Sequence, residues 1–289
     1  MRAVAIHAGL NAVDPSHYNG WSGTLAACEN DARDMATITA RQGFETTLLL
    51  TRQATSVRLL QLLAQYATQL VAGDTLVLSF AGHGAQVPDR TSDEPDRLDE
   101  TWVLYDRMLI DDELYNALSR LRPGVRAIVV ADSCHSGTSL RAFSGAATSR
   151  LLPASIAQAV YRAHGWTYGR ARAATPPTSP ADLRCDALLL AACQDSQLAL
   201  DGENNGLFTG TLKRVWAAGR FTGDYFTFIR RLREQMPRYQ VPNLLSLGPR
   251  AGQLELERPF SARARVAPTT PPSSSRGGVS FLQFQWRNT

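Results

Sequence analysis

Near-continuous apolar runs of strand length recur along the chain, each stopping at small or polar residues. They span Val4 to His7, Thr46 to Leu50, Leu76 to Phe80, Ala127 to Asp132 and Ala187 to Ala192, with a weaker run at Leu244 to Leu247. Runs without polar alternation predict strands buried on both faces. Between them lie stretches of helical character, at Asp31 to Gln42, Ser56 to Val71, Asp111 to Leu121, Leu207 to Ala218 and Tyr225 to Gln235. This alternation predicts an α/β fold of three layers, α/β/α, around a mainly parallel central sheet. A site in such a sheet sits at the carboxyl ends of its strands.

Two segments break the pattern. Gly165 to Asp182 carries Thr175-Pro176-Pro177-Thr178-Ser179-Pro180, which predicts an exposed loop, part of a Pro- and Arg-rich stretch over about 141–184. Arg263 to Gly278 is rich in Arg, Pro, Ser and Gly and reads as a flexible linker. The expected organisation is one domain over 1–262, a linker over 263–278 and an apolar tail over 279–289. That tail is either an added strand or a docking peptide.

Two of the strand ends carry chemistry. Leu78-Ser79-Phe80-Ala81-Gly82-His83-Gly84 ends on an imidazole, and Val129-Val130-Ala131-Asp132-Ser133-Cys134-His135-Ser136-Gly137 ends on a thiol. An ordinary thiol is only slightly ionised at neutral pH, so an imidazole that takes its proton makes it a nucleophile. Cys134 is the expected nucleophile and His83 its base. Gly82 and Gly84 leave room for a substrate's backbone to approach. His135 lies next to Cys134, but successive residues at a strand end point to opposite sides, so its ring is expected to face away. His7, His17 and His164 have no motif around them. The plain alternative for the pair is a turn-capping histidine and a core cysteine.

The two motifs resemble the metacaspase and orthocaspase branch of the caspase-like cysteine peptidases. Further matches extend the resemblance from about Ala3 to about Thr209. They are Gly23-Thr24-Leu25-Ala26-Ala27-Cys28-Glu29-Asn30-Asp31-Ala32, the acidic stretch from Asp99-Glu100 to Ile110-Asp111-Asp112-Glu113-Leu114, and Ala192-Cys193-Gln194-Asp195-Ser196-Gln197. The resemblance implies the caspase-like three-layer fold, a cysteine endopeptidase acting through the Cys134/His83 dyad, and an oxyanion hole from the N–H groups of Gly84 and Cys134. It also implies a monomer.

Specificity is expected to follow from carboxylates. Asp132 lies two positions before Cys134 and points to the same side of its strand. Asp31 matches the position that supplies a second pocket acid in metacaspases. Two recessed carboxylates favour Arg, and less so Lys, in a substrate. Helix capping is the alternative role for Asp31, and fixing the turn is that for Asp132. Where metacaspases usually carry a pocket Ser, this chain has Ala81, which removes one hydrogen bond but no charge.

The chemistry as read needs no cofactor. Calcium-dependent metacaspases use acids matching Asp99, Asp111 and Asp112 together with an Asp seven positions after the nucleophile, where this chain has Arg141. A cation is poorly tolerated within a calcium shell. Arg141 is therefore expected to pair with Asp111 and Asp112 in place of the ion, and calcium regulation is doubtful.

Charge adds a regulatory reading. Of the 30 basic residues only Lys213 is a lysine, and the formal charge is +4. No basic run interleaves with aromatics, so nucleic acid is not an expected partner. Residues 89–113 hold ten acidic and three basic residues, whereas 141–184 hold six arginines and only Asp182. An Arg-directed peptidase would find Arg150, Arg162, Arg170, Arg172 or Arg184 in that loop a substrate, so activation by cleavage there, by itself or by an upstream peptidase, is expected. Neither a membrane span nor a signal peptide is apparent, and the four cysteines show no paired spacing. A cytoplasmic protein acting on other proteins is the expectation. A caspase-like scaffold of little activity is the alternative function, and an acyl transferase using the same dyad a third.

Overall fold

The computed structural model describes residues 1–88, 97–134, 148–176, 182–194 and 197–262. Its main sheet has the strand order β2-β1-β3-β7-β8-β9. The strands are β1 (Ala3–Gly9), β2 (Glu45–Leu50), β3 (Thr75–Ala81), β7 (Arg126–Asp132), β8 (Asp186–Ala191) and β9 (Asn243–Leu247). All pairings are parallel except the last, β8 with β9. The expected three-layer α/β fold is therefore present.

The buried runs divide between the two faces with period two. Ile128 and Val130 of β7 and Leu188 and Leu190 of β8 face one core, with α1 (Cys28–Arg41), α6 (Leu207–Trp216) and α7 (Tyr225–Gln235). Ala127, Val129 and Ala131, with Ala187 and Leu189, face the other, under α2 (Ser56–Gln69) and α3 (Asp111–Ser119). Alternate side chains of a strand serve opposite faces, which is why these strands had to be apolar throughout.

A second, antiparallel sheet was not foreseen. It consists of β4 (Gly84–Pro88), β5 (Leu98–Val103) and β6 (Met108–Ile110) and starts directly after His83. A second correction concerns the stretch expected to be a loop over about 141–184. Much of it is helical, as α4 (Ala154–Ala163) and α5 (Gly165–Ala174). Ala157, Val160, Tyr161 and Tyr168 bury a common face against Val87, Val103 and Met108 of the small sheet. That apolar burial outweighs the weak helical signal around Gly165. Arg162, Arg170 and Arg172 thus lie within helices.

The short α8 (Ala251–Leu254) closes the described fold. The linker and tail, at 263–278 and 279–289, lie outside the described residues. Among the described residues no helix is long and apolar enough to cross a membrane.

Candidate active site

β3 and β7 are neighbours, with Ala81 opposite Asp132, so His83 and Cys134 leave the same edge of the sheet side by side. The backbones beyond them are in close contact. A Cβ on Gly84 would lie 1.7 Å from the Cys134 carbonyl oxygen, so only glycine fits there.

His83 is buried. Its Nε2 donates to the Gly23 carbonyl at 3.1 Å, and the edge of Trp21 meets its ring with centroids 4.8 Å apart. That bond leaves the Nδ1 lone pair free, and Nδ1 has no hydrogen-bond partner. Burial is the main reason its pKa is lowered to about 4. The Cys134 thiol is also buried, which pushes its pKa up to about 11. The sulfur accepts from the Ala199 N–H at 2.8 Å. Burial thus disfavours the charged form of both groups.

The chain itself fills the cleft between them. Residues 148–150 run antiparallel to 199–201: Ser149 pairs with Leu200, the Arg150 N–H donates to the Ala199 carbonyl at 3.0 Å, and the Asp201 N–H donates to the Thr148 carbonyl at 2.8 Å. The Arg150 carbonyl oxygen accepts from the Gly84 N–H at 3.0 Å and from the Cys134 N–H at 3.2 Å. Beyond it, Leu151 bridges to Gly84, and the Leu152 N–H donates to the Gly84 carbonyl at 2.9 Å.

The Arg150 side chain is wholly buried among three carboxylates. Nη2 lies 2.5 Å from Asp31 Oδ2 and 2.9 Å from Asp201 Oδ1, and Nη1 lies 2.9 Å from Asp132 Oδ1. Each acid is also held by the fold. Asp31 accepts from Asn205 Nδ2 and the Gly206 N–H, Asp132 from the Thr209 hydroxyl and N–H, and Asp201 from the Ala26 N–H. The pocket is closed at Gly206, where a Cβ would come within 2.5 Å of the guanidinium. Burial raises the Asp31 pKa to about 6, with neighbouring Asp132 adding to the shift and Arg150 opposing it. The guanidinium stays charged, its pKa raised by the surrounding acids against the effect of burial.

The structure therefore brings together His83, Cys134, Gly84, Asp31 and Asp132. Asp31 sits inside the first turn of α1, whose N-cap is Ala27, so capping is not its role. Ala81 is buried and packs with Leu25 and Cys28. Sequence reasoning missed Asp201 as the third acid and did not single out Arg150 among the arginines. A signal for Asp201 was the apolar run Leu198 to Leu200 ending on a carboxylate just before α6, the form of the other site-bearing segments.

The remaining histidines have structural partners. His7 is bonded to Ser79 and Thr39, and His17 stacks on His164 with centroids 4.0 Å apart. His135 and Arg141 lie outside the described residues. Arg172 of α5, not foreseen in this role, pairs with Asp99 and approaches Asp112 at 3.8 Å. Among the described residues no cluster of three or more His, Cys, Asp or Glu side chains is placed to hold a metal.

The caspase domain family matches residues 12–251 of this chain. Metacaspase-1B of Aspergillus fumigatus is 35% identical over 139 residues, covering 43% of this chain and 34% of that protein. Metacaspase-1A of the same organism is 35% identical over 140 residues, again covering 43% and 34%. The chain thus matches about a third of the length of these curated relatives. Protein GSU0716 from Geobacter sulfurreducens has a solved structure that superposes with a TM-score of 0.86 at 44% identity, covering 91% of this chain and 100% of that one. Caspase-1 from Spodoptera frugiperda shares the fold at a TM-score of 0.51 and 14% identity, covering 85% and 86%. With this match across most of its length, the chain belongs to the caspase domain family, and within that family it is similar to the metacaspases.

Proposed function

We propose that the protein is a cysteine endopeptidase that cuts after Arg, made as a precursor whose own Arg150 fills the active site. One observation carries this reading. The Arg150 guanidinium sits among Asp31, Asp132 and Asp201 while its carbonyl oxygen takes the N–H groups of Gly84 and Cys134, the position of a peptide bond about to be cut.

The chemistry follows from the groups in place. In the proposed chemistry the Cys134 thiol, which at rest donates to the Ala199 carbonyl at 3.2 Å, turns to give its proton to His83 Nδ1, and the sulfur attacks the Arg150 carbonyl carbon. The charge that develops on the oxygen falls on the two N–H donors, which already point at it. His83 returns the proton to the Leu151 nitrogen, the C–N bond breaks, and water then releases the acyl group from sulfur. A guanidinium presents five N–H donors in a fixed fork, which suits three separated acids better than a Lys ammonium does.

Arg150 is the arginine of the 141–184 stretch that supports activation by cleavage. It is extended across the cleft, whereas Arg162, Arg170 and Arg172 are held in helices. An upstream peptidase is a less direct route, because the Arg150 side chain is fully buried. The four cysteines are free and buried, in keeping with the proposed cytoplasmic site of action.

The scaffold reading has one point in its favour: burial disfavours the charged form of both the thiol and the imidazole, which works against a thiolate formed in advance. Matched fluorogenic peptides ending in Arg or Asp, with Cys134→Ala as the blank, separate the two. Cleavage after Arg that requires Cys134 supports the peptidase, whereas cleavage after neither residue, together with no Cys134-dependent cut at 150–151, supports the scaffold.

A further inference from the structure

We propose that the cut at Arg150–Leu151 is reversible, because the fold holds the new Leu151 amine in the cleft, where it reseals the chain. This rests on the reading above, that Arg150 is the residue acylating Cys134.

The fate of the leaving group decides the direction of the reaction. A peptidase normally goes forward because the amine released with the first bond diffuses away before water arrives. Here the residue after Leu151 is an anchor. Leu152 is 1% exposed and lies in the core that joins Val13 and Tyr18 to the small sheet and to α4. Its N–H is bonded to the Gly84 carbonyl. Two residues on, α4 begins, and the α4–α5 pair is tied down independently of the cleft. His164 Nε2 bonds to the His17 carbonyl at 3.1 Å, the Tyr168 hydroxyl to the Met108 N–H at 3.3 Å, and Arg172 to Asp99. None of these contacts depends on the Arg150–Leu151 bond.

The other end is held as well. Arg150 keeps its three carboxylates and its strand pairing to Ala199 when the bond is broken. Both ends of the nick therefore stay next to Cys134 and His83. Groups held in reacting geometry behave as if present at about 10⁵–10⁸ M. The Leu151 amine attacks the Cys134 thioester, the C–S bond breaks, the amide C–N bond re-forms, and His83 accepts the proton lost by the amine. The same steps run from the hydrolysed form. The Arg150 carboxyl group esterifies Cys134 with loss of water, and the amine then takes the acyl group. No oxidant, reductant or other reactant is required.

The consequence is a nick that reaches an equilibrium instead of completion, and a cut chain that keeps its pocket filled until something displaces Arg150 or Leu151.

The test uses the full-length protein in ¹⁸O-labelled water. Hydrolysis places ¹⁸O in the Arg150 carboxylate, and resealing returns part of it to the intact chain as a 2 Da increase in the peptide spanning Arg150. The expected result is a constant ratio of intact to nicked chain, with the intact chain acquiring label over time, and neither in Cys134→Ala. Leu152→Ala, which loosens the anchor, is expected to shift the plateau at least tenfold toward the nicked form. Nicking that runs to completion, or an intact chain that never gains label, overturns the proposal. The Arg peptides keep the two readings apart. Their Cys134-dependent cleavage without label in the intact chain defeats resealing alone, whereas no cleavage of peptide or chain defeats both.

Discussion

The Arg150 carbonyl oxygen lies 3.2 Å from the Cys134 backbone nitrogen, so the arginine that neutralises the acidic pocket also presents its carbonyl to the residue bearing the thiol. The side chain is held by the carboxylates of Asp31, Asp132 and Asp201, and the main chain by the N–H groups of Gly84 and Cys134 and the carbonyl of Ala199. This double fixation makes the segment resemble a bound substrate more than a structural ion pair.

Removing the guanidinium has two separable effects. Arg150→Ala is expected to abolish the fragment beginning at Leu151, while Arg150→Lys forms it more slowly. On the Cys134→Ala background, where no cutting occurs, Arg150→Ala leaves three buried carboxylates without a counter-charge and is expected to cost about 3–5 kcal/mol of stability. Denaturant unfolding and N-terminal sequencing check the two effects. A nick at 150–151 in the alanine variant contradicts the pocket assignment.

Gly84 is the residue least able to change. A Cβ there meets the Cys134 carbonyl at 1.7 Å, so the strand ends must move apart and the two N–H donors lose their common target. Loss of one such donor typically lowers turnover by about 10²–10³. Gly84→Ala is expected to reduce Cys134-dependent peptide cleavage by at least that factor while keeping the circular dichroism of the wild type.

Asp201 is expected to matter to Arg recognition as much as Asp31 does. Removing one partner of a buried, hydrogen-bonded charge pair commonly costs about 2–5 kcal/mol, or more than tenfold in affinity. Asp201→Asn is therefore expected to lower kcat/KM for Arg peptides at least tenfold. Equal rates in Asp201→Asn and wild type would remove this residue from the pocket.

Stability should fall on acidification below neutral pH. His83, His7 and His17 have pKa values lowered to about 4, about 3 and about 4, chiefly by burial, from an ordinary 6.5. Between pH 6.5 and 4 the unfolded chain then binds more protons at these positions than the folded one, so stability increases with pH across this window. Asp31, raised from 3.8 to about 6, and Glu257, also raised by burial, act with the opposite sign, but they are two groups against three histidines. Thermal melts of Cys134→Ala protein are expected to show Tm falling from pH 7 to pH 4.5. A flat or rising Tm contradicts the buried neutral histidines.

The parallel strands were legible in the sequence because burial on both faces leaves little freedom in composition. The strand ends at His83 and Cys134 were legible because they interrupt those runs, and Asp132 followed from period two. Asp31 came from the resemblance. Asp201 was missed because its place depends on residues 197–206 returning to the site, a tertiary relationship that local pattern does not encode. Arg150 was only one of several arginines for a related reason: residues 148–152 pair with residues 199–201 and 84, remote in sequence. The small sheet escaped notice because β4 starts at a glycine, ends at a proline and is followed by a charged stretch.

The most direct test of the account is the intact mass of freshly prepared wild-type protein followed over time at several concentrations, beside Cys134→Ala. The account predicts fragments 1–150 and 151–289 in the wild type alone, formed at a rate independent of protein concentration because the bond is already seated in its own cleft. Fragments cut elsewhere, a rate that rises with concentration, or an uncut chain that hydrolyses Arg peptides at full rate would contradict it.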